Sequence, residues 1–174
     1  MRIKRDSKGE LYFSGVVFLI GGLILVVSLT ILARFSWLRV DLYLLLITVI
    51  ALFDLGGAAG VLLAGSWGLL MDTFSGYFLG PHIMVYPLGF FLVRSLQAKF
   101  LFRRALEGIL LTFWMALLLE GLVVFFIRFI YAGEVGEGLW GRLLYQALVL
   151  ALLFPPFWFF FRRLRQRFGL GEEI

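Results

Sequence analysis

Residues 11–33, LYFSGVVFLIGGLILVVSLTILA, run without one charged side chain. A helix of about 20 apolar residues crosses the hydrocarbon core of a bilayer. The rest of the chain agrees. Of its 174 residues 62% are apolar, and the mean hydropathy is +1.00; soluble domains average about 45–50% apolar. A water-soluble fold of this size has too little interior to hide so much apolar surface. The run is also too long for the apolar core of a secretory signal, and no small-x-small site follows it, so it reads as a retained helix.

Five more apolar stretches follow, and the expectation is an all-α polytopic membrane protein, a single bundle of six helices. The spans are placed at about 11–33, 38–53, 57–72, 77–94, 106–131 and 139–161. The second and third are short and are parted only by Asp54 to Gly57. Asp41 and Asp54 stand where N-caps of these two helices are needed. Pro81 sits at the start of the fourth span, where proline is tolerated, and Pro87 is expected to kink it. The sixth contains Pro155 and Pro156 and ends in the aromatic run 157–161, an interfacial belt. With no linker, repeat or low-complexity segment, one domain is expected.

The basic residues orient the bundle. Arg2, Lys4, Arg5 and Lys8 lie before the first span; Arg94, Lys99, Arg103 and Arg104 lie between the fourth and fifth; Arg162, Arg163, Arg165 and Arg167 follow the sixth. With six spans all three clusters share one side. Only Arg34, Arg39, Arg128 and Arg142 fall on the other. Positive charge marks the cytoplasmic side, so both termini are expected there. The net charge of +5 thus reflects orientation rather than nucleic-acid binding.

Catalytic chemistry is hard to assemble. There is no cysteine, and His82 is the one histidine. Asp72, Ser75 and His82 supply the residue types of a Ser-His-Asp triad, but no G-x-S-x-G elbow accompanies them. Asp72 and Ser75 are expected to satisfy helix-end groups, Asp72 by accepting from the turn Thr73 to Gly76. No metal-ligand cluster, P-loop or G-x-G-x-x-G is present, so no cofactor, metal or enzymatic activity is expected. Glu120 lies near the middle of the fifth span, where a carboxylate is costly. Its expected role is to hold helices together by a hydrogen bond to Gln146, Tyr145 or Arg142.

Small residues recur every fourth position at Gly56, Gly60, Ala64 and Gly68, and the series lands on Asp72 and Gly76. Such a stripe lets helix backbones approach closely in lipid. Four-residue steps drift about 40° each around the axis, which suggests that this third helix stands in the middle of the bundle.

The segment GSWGLLMDTFSGYFLGPH, residues 65–82, resembles the signature region of the bacterial rod shape-determining protein MreD family, roughly G-x-x-x-D-x-x-S-G-x-x-x-G. The matching residues are Gly68, Asp72, Ser75, Gly76 and Gly80. Upstream, Arg39, Asp41 and Leu42 match the family's R-P-D-L, with Val40 in place of its proline. The resemblance implies a non-enzymatic, multi-pass protein of the bacterial inner membrane. It implies binding to MreC, a protein with one membrane helix, alongside RodA, a class B penicillin-binding protein and MreB. That complex controls cell shape and lateral peptidoglycan synthesis. MreD-like chains are also similar in helical arrangement to the substrate-binding components of energy-coupling-factor vitamin transporters, which is the alternative function. Asp72, Ser75, His82, Tyr86 and Arg39 are the residues that would line its pocket. The Ala-x-x-x-Ala docking motif of such components is missing, since the first span holds only Ala33.

Overall fold

The computed structural model describes residues 7–30, 40–53, 57–75, 80–99, 105–130 and 138–168. Among them six α-helices occur and no strand: α1 Ser7–Thr30, α2 Leu42–Leu52, α3 Gly57–Ser75, α4 Pro81–Lys99, α5 Ala105–Phe125 and α6 Leu139–Arg167. The last turn of α5 widens into a π-helix over Phe126–Ile130. The segments Leu106–Phe129 and Leu139–Arg167 are long and apolar enough to cross a membrane, while Tyr12–Ile24, Leu42–Leu52 and Ala58–Phe74 are shorter apolar helices.

Several helix bounds differ from the expected spans. Helix α1 covers Ser7–Thr30, α2 starts at Leu42, α3 runs to Ser75, α4 starts at Pro81 and runs to Lys99, and α6 runs on to Arg167. Charged residues end an apolar span but not a helix, because arginine and lysine are good helix formers. Asp54, Gly56, Gly76 and Arg39 lie outside the described residues.

The centre of the bundle is α2, not α3. Ten of the eleven residues of α2 are buried, and it packs against all five other helices. Its sequence LYLLLITVIAL is apolar around its whole circumference, as a helix enclosed on every side must be. Thr48 hides its hydroxyl by donating to the Leu44 carbonyl at 2.9 Å. Helix α3 is peripheral, with Leu62 73% and Phe74 52% exposed. The small-residue stripe is buried at Gly60, Ala64, Gly68 and Asp72, and α3 packs chiefly on α4.

Helices α2 and α4 run parallel. Tyr86 donates through its hydroxyl to Asp41, and Gln97 donates to the Leu52 carbonyl at 2.7 Å. Both bonds join residues 45 apart in sequence, so the two helices keep one register over the full length of α2. Helix α6 runs the same way, since Phe53 after α2 stacks on Trp158 late in α6 at 4.5 Å. These three helices begin at one end of the bundle, termed the upper end below.

Glycines mark the crossings of the other helices. Gly21 of α1 lies flat against the Trp67 ring of α3, Gly89 of α4 against Leu119 of α5, and Gly108 of α5 against Phe154 of α6. At each, a side chain on the glycine would occupy the space its neighbour fills.

Candidate functional site

Three of the signature residues, Gly68, Asp72 and Gly80, meet at the junction of α3 and α4. A β-carbon on Gly68 would stand 2.5 Å from the His82 carbonyl oxygen and 2.7 Å from the Ile83 α-carbon. Only glycine lets the two backbones touch there. One turn further along the same face comes Asp72, 2% exposed. Its Oδ2 accepts from the backbone N–H of Gly80 at 2.9 Å and of Ile83 at 3.1 Å, and its Oδ1 from His82 N–H at 3.0 Å.

These donors are the free N–H groups that begin α4. A helix usually satisfies them with the side chain of its own N-cap residue. Here the residue before Pro81 is Gly80, which has no side chain, and its φ of 137° is one that side chains rarely adopt. Pro81 at the first helical position has no N–H to satisfy. Asp72 thus caps α4 from a neighbouring helix, and its charge faces the positive end of that helix. The bonds from Asp72 cross to Gly80, His82 and Ile83, beyond the turn Thr73–Gly76 to which the sequence reading assigned them. Of Ser75 the structure describes only that it ends α3.

The His82 ring adds a fourth contact, Nδ1 to Asp72 Oδ1 at 2.7 Å. Its other side meets Tyr86 edge-on at 5.4 Å. Tyr86 reaches Asp41, whose Oδ1 caps α2 by accepting from Tyr43 N–H at 3.0 Å and Leu44 N–H at 3.3 Å. The Tyr43 hydroxyl in turn donates to the Gly21 carbonyl at 2.9 Å, which ties α1 to the centre. On the far side Gln146 of α6 donates to Glu120 of α5 at 3.2 Å. Glu120 lies within electrostatic reach of Asp41 and Tyr86.

The result is a polar layer that draws on every helix. Tyr86 and Gln146 lie roughly 8–10 Å below the starts of α4 and α6, so the layer sits in the upper half of the bundle. Its carboxylates are committed to helix starts or to a neighbouring amide. Among the described residues no group of three or more potential metal ligands occurs.

Sequence reasoning found Asp41, Asp72, Glu120 and Gln146, because polar residues in apolar runs stand out. It missed Gln97, Tyr43, Gly89 and Gly108. Their roles depend on which helices are neighbours, and no local pattern encodes that. No known protein family, curated protein or solved structure matches the chain.

Proposed function

We propose that this chain is a non-enzymatic scaffold of the bacterial inner membrane. It crosses the bilayer six times with both termini in the cytoplasm, and it holds MreC by its membrane helix within the cell-elongation complex of rod-shaped bacteria. The observation that carries the reading is the geometry of the signature. Gly68 is bare so that two backbones can touch, Asp72 caps a helix, and Gly80 adopts a conformation that favours glycine. Three motif residues engaged at one helix junction suit a protein whose task is to hold a shape. His82 is engaged by Asp72 and Tyr86, which leaves the ring a structural partner for its helix.

The test is co-purification. The chain and MreC, expressed together, are expected to remain associated in mild detergent. Gly68→Leu is expected to lose the complex by forcing α3 from α4, whereas Gly121→Leu, where nothing stands within 4 Å of an added β-carbon, leaves the fold intact. Failure of the unaltered chain to retain MreC, together with tight binding of a water-soluble vitamin by the isolated protein, would replace this reading with the transporter one. The polar layer in the upper half is the feature such a ligand would meet.

A further inference from the structure

Helix α6 is 29 residues long, about 43 Å, and exceeds the roughly 30 Å of a bilayer core. Its exposed face carries one stripe at helical spacing: Leu148, Leu152, Pro156, Phe159, Arg163 and Arg167. Leu152 is 76% and Phe159 54% exposed. The upper part of the stripe is wholly apolar, and its last two members are arginines one turn apart.

Those arginines stand on continuous helix. Helical structure continues to Arg167, and between them Arg165 turns to the other side, where its guanidinium lies 5.9 Å over the Phe53 ring. That contact, with the Phe53–Trp158 stack beside it, pins the end of α6 to the central helix. The two exposed guanidiniums are therefore held one turn apart just below the aromatic belt.

We propose that this stripe seats an anionic phospholipid, with its acyl chains along Leu148 to Phe159 and its phosphate between Arg163 and Arg167. Guanidinium forks match phosphate oxygens in pairs, which a lysine cannot do. Charge selects the headgroup. Helix α6 contains no acidic residue, so the ammonium of a zwitterionic lipid finds no counter-charge on it, whereas an anionic headgroup is attracted by both guanidiniums. The proposal rests on the reading that α6 crosses the membrane with its basic end at the cytoplasmic face.

The experiment uses the full chain purified in detergent and challenged with phosphatidylglycerol or with phosphatidylcholine of the same acyl chains. Bound lipid is counted by native mass spectrometry and affinity is read from the thermal midpoint. Phosphatidylglycerol is expected to be retained and to raise the midpoint, and phosphatidylcholine is not. Arg163→Ala with Arg167→Ala is expected to weaken phosphatidylglycerol by about thirtyfold, each single change by about fivefold, the effect of surface cations at a lipid headgroup. Replacement of both by lysine is expected to fall between, because it keeps charge and loses the fork. Arg142→Ala, at the upper end of the same helix, serves as the control and changes nothing. Equal retention of the two lipids, or undiminished phosphatidylglycerol binding in the alanine variants, single or double, overturns the proposal. MreC retention is measured on the same samples. Loss of lipid selectivity with MreC retained refutes only the lipid seat, and lipid selectivity without MreC refutes only the scaffold.

Discussion

Asp72 closes the junction of α3 and α4. One carboxylate satisfies three backbone donors and an imidazole at the start of α4. Buried donors left without a partner cost about 1–3 kcal/mol apiece, and loss of a helix cap costs about 0.5–2 kcal/mol. Asp72→Ala is therefore expected to destabilise the protein by about 2–4 kcal/mol, since part of the exposed N–H groups find water at the helix end. Asp72→Asn keeps one acceptor oxygen and should fall between. His82→Ala removes the ring but leaves the backbone bonds, so it should cost less than half as much. Thermal unfolding in detergent measures all three. Were His82→Ala as damaging as Asp72→Ala, the ring rather than the cap would be the purpose of the pair. Gly68 belongs to the same unit, because the carboxylate can reach Gly80 only if the backbones touch one turn earlier.

Helix α2 is the element on which the others depend, and it is the least self-sufficient. Eleven residues are too few to form a stable helix alone, and about 16 Å is half a bilayer core. Its two ends are closed by other helices: Asp41 with Tyr86 at the upper end, and the Leu52 carbonyl with Gln97 at the lower. Tyr86→Phe strands an oxygen of buried Asp41 and is expected to cost about 1–3 kcal/mol. Gln97→Leu frees a carbonyl nearer the surface and should cost about 0.5–1.5 kcal/mol. The two bonds lie about 16 Å apart along the helices, so the double variant should be additive within about 0.5 kcal/mol. A large coupling energy would instead show that α2 and α4 shift as one body. The pairing of these helices was not legible in sequence. Gln97 looked like an ordinary polar residue after a span, and Tyr86 stood out only as a pocket residue of the alternative function.

For the whole molecule, the layout of charge makes the sharpest prediction. The natural absence of cysteine gives a clean background for single-cysteine labelling. Arg142 stands near the start of α6 and Arg163 near its end, both exposed. In intact cells, once the outer membrane has been permeabilised, an impermeant thiol reagent is expected to label Arg142→Cys and to spare Arg163→Cys until the inner membrane is opened. Labelling of both from outside, or the reverse pattern, would refute the cytoplasmic placement of the basic clusters. In the proposed orientation the polar layer lies toward the outer face and the Phe53–Trp158–Arg165 group toward the inner.

Much of this was already present in the order of residues. Apolar runs with polar breaks dictate helices, because a backbone in apolar surroundings must satisfy its own hydrogen bonds, and the periodic glycines announce close helix contact. Asp41 could be read as a cap because capping is local: its partners are two and three residues away. The tertiary structure decided what depends on neighbours distant in sequence. It put α2 rather than α3 at the centre, since the stripe on α3 specifies close contact but not with which helix. It carried Asp72 across to the next helix, since the donors of a helix that starts with Gly80 and Pro81 had no side chain of their own to meet. And it joined Glu120 to Gln146 out of three possible partners, a choice that depends on how α5 packs on α6.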